Sequence, residues 1–178
     1  MLAHAPRIAA VLILVGGAAA LATSAPLAST PGARPPALER MKSLAGDWVS
    51  LEDGPMTKKG DVVAHYAVTG AGSAVVETVF PGTDHEMLTV YHADGADLVL
   101  THYCMEGNQP RMRARAPQGS RFDFAFDGGT NIDPAKDRHM HSATLELLGA
   151  DEIRSEWTET ALGAPVFVAR THLARQTR

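Results

Sequence analysis

The chain has 178 residues, 45% of them hydrophobic, with 20 acidic against 16 basic side chains and a formal net charge of −4. That acidic balance argues against nucleic acid as a partner, because phosphate binding needs a basic surface. Cys104 is the single cysteine, so an internal disulfide is excluded and the core alone must hold the fold.

Arg7 forms a short positive start, followed by an apolar run of 14 residues from Ile8 to Leu21. A spanning helix needs about 20 such residues, and small residues follow at Ala22-Thr23-Ser24. This pattern predicts a signal peptide over residues 1–24, cleaved before Ala25, and an exported protein, periplasmic or extracellular. No cysteine lies near the cleavage point to carry a lipid, and no stable membrane span remains after cleavage. Residues 25–37 are rich in Pro, Ala, Ser and Thr and read as a disordered linker. Residues 38–178 are then one domain, long enough for a single sizeable core.

Within that domain, Leu38, Met41 and Leu44 keep helical spacing and predict a short helix stopped by Gly46. Strands are predicted from Asp47 to Leu51, Asp61 to Thr69 and Ser73 to Phe80, separated by Asp53-Gly54-Pro55 and Gly70-Ala71-Gly72. Two alternating apolar segments then flank Ala93-Asp94-Gly95-Ala96, a strong hairpin signal. With Asp94 and Gly95 as the turn, Tyr91 faces Leu98, Thr89 faces Leu100, Met87 faces His102 and His85 faces Cys104. Alternation puts all eight side chains on one face, apolar near the turn and polar at the far end.

Further strands are predicted over Arg111–Ala116, Arg121–Asp127, His139–Leu148, Glu152–Thr160 and Ala164–Ala174. A long loop separates Asp127 from His139. About ten short strands joined mostly by tight turns predict an all-β fold, an antiparallel up-and-down barrel with a short N-terminal helix.

Leu44-Ala45-Gly46-Asp47-Trp48, at the entry to the first strand, resembles the G-x-W signature of the calycin superfamily. The mature chain as a whole is similar to the bacterial lipocalin-like barrels of that superfamily. The resemblance implies that Trp48 closes one barrel end under a basic residue from the last strand. Arg170 is placed for that role, with Arg154 as competitor. The chain departs from lipocalins in having no disulfide, and it carries no recognisable haem-ligand motif of the nitrobindin kind.

The sharpest candidate chemistry is a histidine cluster. His102 and Cys104 share one strand face, and so do His139 and His141, which continue into Ala143, Leu145 and Leu147. Paired imidazoles at i, i+2 are how sheets build metal sites. His102, His139 and His141, with Cys104 or His85 as fourth ligand, form a candidate transition-metal site; the alternative is hydrogen bonding inside a polar cavity. Haem on one interior histidine, lined by Met87, Leu100, Phe124 and Phe126, is a further possibility. Arg111, Arg113 and Arg115 alternate with small apolar residues, so the arginines are either solvated or hold an anion inside. Glu77, Glu86 and Asp123 show no partner at acid–base spacing, and nothing in the sequence marks a catalytic residue.

The sequence therefore points to a barrel that binds a small hydrophobic or amphipathic molecule, oriented by Tyr91, His102, Arg113, His139 and His141. No cofactor is the simplest expectation. A metal- or haem-dependent enzyme or sensor in the same cavity is the alternative, and a ligand-free interaction module is a third possibility.

Overall fold

The protein is described here by a computed structural model covering residues 36–177. The predicted signal peptide and nearly all of the predicted linker lie outside the described residues. Pro36 and Ala37, read from sequence as the end of the linker, are instead the start of helix α1 (Pro36–Lys42). Proline suits a first helical position because its missing N–H has no intrahelical partner there.

Ten strands follow: β1 (Gly46–Ser50), β2 (Val62–Thr69), β3 (Ala74–Val79), β4 (Met87–Asp94) and β5 (Asp97–Tyr103), then β6 (Gln109–Ala114), β7 (Arg121–Thr130), β8 (His139–Leu147), β9 (Glu152–Ala161) and β10 (Ala164–Arg175). Each pairs antiparallel with its neighbours in sequence, and β1 pairs β10 to close the barrel. This is the up-and-down barrel that the strand count and tight turns predicted. Among the described residues, no helix is long and apolar enough to cross a membrane.

The interior is set by period-two alternation. Val75, Tyr91, Leu98, Leu100, Met112 and Phe122 are each 2% exposed or less. Helix α1 buries Ala37, Leu38 and Met41 over the end where β1 begins. Trp48 sits beneath it, fully buried, its indole N–H donating to the Leu44 carbonyl at 2.8 Å.

The central hairpin differs from expectation in register. Asp94 pairs Asp97, so Gly95 and Ala96 are the turn, and Thr89 lies opposite His102 rather than Leu100. Gly95, at φ +61°, supplies the positive φ that the first turn position of a two-residue hairpin requires. The slip is two residues, an even number, so the buried face is preserved. His85 is not in β4; it is exposed in the turn before it and does not face Cys104 from a neighbouring strand.

The β9–β10 turn is Leu162-Gly163, with φ of +51° and +73°. Gly163 suits this turn, but Leu162 is strained there and is 78% exposed. Leu162→Asn is expected to raise the unfolding free energy by about 1 kcal/mol, measured by urea titration. An unchanged midpoint would mean that the turn stores no strain.

Candidate functional site

The register places four polar side chains in a row across the inner wall. Tyr66 on β2 pairs Glu77 on β3, Glu77 pairs Thr89 on β4, and Thr89 pairs His102 on β5. Tyr91 flanks the row, two residues along β4. All five side chains are buried.

Both phenols donate to the Glu77 carboxylate, Tyr66 to Oε1 at 2.7 Å and Tyr91 to Oε2 at 2.6 Å. Burial pushes the Glu77 carboxyl up, and the two phenol donors oppose that rise by favouring the ionised form. Burial and the facing carboxylate push both phenols well above their ordinary range. At the other end of the row, Thr89 Oγ1 and His102 Nδ1 lie 2.9 Å apart. The second ring nitrogen of His102, Nε2, is buried without a hydrogen-bond partner. Burial lowers the His102 pKa to about 4, so the ring is neutral at neutral pH.

His102 lines a cavity of about 80 Å³ in the half of the barrel away from α1. Val63, Met87, Met140, Ile153 and Trp157 form much of its apolar wall, with Tyr66, Glu77, Ser155 and Thr171 as its other polar members. The Trp157 ring is 5.1 Å from the His102 ring. A buried polar atom beside a space that holds little more than a few waters is a place for a ligand or ordered water. Phe80, Ala169 and Thr171 line both this cavity and a neighbouring, more open pocket bordered by Phe167 and by residues 52–57 after β1.

Of the residues expected at the site, Tyr91 and His102 are in the interior. Arg113 is not. Met112 and Ala114 point inward, which turns Arg113 outward among Asp94 at 2.9 Å, Asp97 at 3.0 Å and Asp127 at 3.1 Å. Those carboxylates raise its pKa, the hydrogen bond to Asp94 most.

His139 and His141 do not follow the alternation of Ala143 and Leu145. The β8–β9 register shifts between Met140 and Ser142, so His141 is an extra residue on β8 and Met140 takes the place on the cavity wall. His139 is buried and His141 is exposed, both against Phe126, with ring centroids 4.8 and 5.0 Å away. His139 Nδ1 donates to the Asp137 carbonyl at 2.9 Å, which leaves its Nε2 to accept from His141 Nδ1 at 3.0 Å. The two nitrogens that face each other thus share a hydrogen instead of converging on an ion. Burial first and His139 second lower the His141 pKa.

Cys104 is half-buried in the turn after β5, where burial pushes its thiol up. Beside it, Arg138 makes a forked pair with the buried Glu159 carboxylate. The structure does not gather His102, His139, His141 and Cys104 into one centre: among the described residues, no group of three or more His, Cys, Asp or Glu side chains is placed to hold a metal ion.

Trp48 is covered by a guanidinium, but from Arg175, not Arg170 or Arg154. The Arg175 guanidinium lies 4.5 Å from the indole centroid. Trp48 and Arg175 are direct cross-strand partners, and odd-numbered residues of β10 face inward. Arg170, one residue out of phase, lies outside on Glu156 at 2.8 Å. Arg154 is also exposed.

Sequence reasoning missed Glu77 and Tyr66. The signal was there: Glu77 sits between Val75 and Val79 on the buried face of β3. Its partners lie on two other strands and emerge only with the register.

Fold and site together define a closed ten-stranded antiparallel barrel with a small interior cavity and a buried polar row. No family model matches the chain, and a search of curated proteins found no match.

Proposed function

We propose that the protein is an exported, calycin-like barrel that binds a small hydrophobic or amphipathic molecule in its interior. The observation that carries this reading is a small, largely apolar interior cavity lined by His102, whose Nε2 is buried without a hydrogen-bond partner. Such sites combine apolar burial with a few polar groups that set orientation. Export is supported by Arg7, the Ile8–Leu21 run and the small residues before Ala25. The calycin likeness is supported by Gly46-Asp47-Trp48 and by the cation stacked on Trp48.

The volume limits the ligand. Pockets for drug-sized molecules are roughly 300–1,000 Å³, and this one is about 80 Å³. A porphyrin or a fatty acid does not fit without wide opening of the wall; a molecule of a few heavy atoms does. The filled remainder of the interior favours, as the competing reading, a barrel that carries no ligand.

Native mass spectrometry with elemental analysis, on protein purified from the exported fraction without tag or chelator, decides between them. The expected mass begins at Ala25 and carries a small organic adduct that His102→Gln loses. A stoichiometric metal or haem would replace this reading with a metallo-barrel. A clean apo mass, with no small molecule shifting interior resonances, would leave the ligand-free reading.

A further inference from the structure

The seam between β1 and β10 leaves part of the wall without a strand partner. Along β10 the even-numbered residues turn their backbone groups toward β1. Leu51 N–H donates to the His172 carbonyl at 2.9 Å and Gln176 N–H to the Asp47 carbonyl at 2.8 Å, whereas Arg175 N–H donates to Asp151 on the β9 side. Antiparallel pairing alternates in this way, so the N–H and C=O of Val168 and Arg170 face the same side as those of His172. β1 ends at Ser50, and among the described residues no strand or loop backbone pairs them there. Val168 to His172 all line the pocket beside the cavity, as happens where a strand presents its edge rather than a face.

Phe80 divides this pocket from the cavity. It follows β3 at φ +52°, an uncommon conformation for a bulky side chain. Its N–H donates to the Val63 carbonyl at 2.8 Å, and its carbonyl accepts from Thr83 N–H at 3.2 Å and Thr83 Oγ1 at 2.9 Å. The backbone is therefore held on both sides. The half-buried ring, which lines both spaces, is the part that can move by a change of rotamer. Ala169 and Thr171, on either side of Arg170, also line both. The cavity is about 80 Å³ and the pocket about 210 Å³. Joined, they approach the lower end of the range for drug-sized sites, roughly 300 Å³.

We propose that cavity and pocket form one site, with Phe80 as its movable partition, for a slender molecule that joins a short apolar chain to a primary carboxamide, urea or lactam end. The chain lies in the cavity against Met87, Met140 and Trp157. The polar end lies on the β10 edge, where Arg170 N–H donates to its oxygen and the Arg170 carbonyl accepts from its N–H. A residue in an antiparallel strand exchanges both bonds with one partner, so these two groups point the same way. Only an end with its acceptor and donor side by side meets both, and an end lacking either leaves a polar group unmatched. The bare edge is short. Leu51 takes His172 at one end, and the register shifts between Pro165 and Phe167 at the other, which suits a small molecule better than a peptide strand. The inference rests on the reading of the barrel as a small-molecule binder and adds where the molecule enters and which end faces out.

The test titrates pentanamide and, separately, xenon under pressure into protein labelled with ¹⁵N, carbonyl ¹³C and methyl-¹³C methionine. Pentanamide is expected to shift the Met87 and Met140 methyls, the Phe80 ring and the Arg170 N–H and carbonyl along one saturation curve. Xenon is expected to shift the methyls alone. Arg170→Pro removes the seam-facing N–H and leaves the β9 ladder intact. It is expected to bind pentanamide about fivefold more weakly than Arg170→Ala, which keeps that N–H. Should Arg170→Pro not fold, the wild-type shifts alone decide. Equal affinity of the two variants, or pentanamide shifts at the methyls or at Arg170 without the other, overturns the shared site and leaves the small-molecule reading standing. If neither pentanamide nor xenon shifts the methyls, the small-molecule reading falls as well.

Discussion

Lowering the pH from 6.5 to about 4 is expected to remove about 3 kcal/mol of stability through His102 alone. Burial holds the folded imidazole at about 4, while an unfolded imidazole titrates near 6.5. Between these values the unfolded chain takes up a proton that the folded barrel refuses. The stability is therefore complete above 6.5 and lost as pH falls through the window. Two other groups act in or near the same range. His141, also lowered, has the same sign, and Glu77, raised by burial, has the opposite sign. Asp97, Asp123 and Asp133 are held below the usual carboxylate value, so their contributions are lost only at still lower pH. Urea titrations of the wild-type protein and His102→Gln at intervals from pH 7.5 to 4 separate these terms. The difference between the two curves is expected to narrow by about 3 kcal/mol across the window. Parallel curves would show that His102 is not buried in its neutral form.

Trp48→Ala is expected to cost about 3–5 kcal/mol, the usual range for a large aromatic cut from a core. The indole is fully buried, holds the Leu44 carbonyl, and meets Tyr66 edge-on with centroids 6.5 Å apart. Its cover is equally specific. Arg175 donates to the carbonyls of Ser43 at 2.8 Å, Ala45 at 2.8 Å and Ala150 at 2.9 Å while lying over the ring. Arg175→Ala should therefore cost about 2 kcal/mol, through lost cation–π contact and unpaired carbonyls. Arg170→Ala, which removes one exposed ion pair, should stay within about 0.5 kcal/mol. Thermal and urea unfolding of the three variants checks the order. Equal losses for the two arginines would mean that the guanidinium over Trp48 contributes nothing beyond an ordinary surface charge.

The strands were legible because the chain alternates cleanly and its turns carry Gly, Asp and Pro at the expected places. Most predicted strand ends fall within one to three residues of the observed ones. The errors have separate physical causes. The central register moved by two because Gly95, not Asp94, leads the turn; parity survived, so Tyr91 and His102 stayed inside. Parity did not survive at His141, where one extra residue in β8 reverses the faces, and no residue type announces such a bulge. Arg175 was missed because the β1–β10 seam joins the two ends of the fold, and neither a turn nor a short spacing specifies its register. Glu77 looked isolated because its partners are 11 and 14 residues away on neighbouring strands.

The seam has a consequence for self-association. It pairs Trp48, Val49 and Ser50 with Arg175, Ala174 and Leu173 in turn, with one backbone bond beyond each end, while β10 extends back to Ala164. The first half of β10 thus runs beyond the end of β1, with Val166 and Phe167 exposed at 50% and 40%. A bare strand edge with apolar side chains invites another chain to add a strand. Two features in that stretch oppose it. Pro165 has no N–H to offer, and the register shift between Pro165 and Phe167 bends the edge away from the flat geometry that strand addition needs. The overhanging half of β10 is thus a poor template for strand addition, although the seam that leaves it unpaired is short.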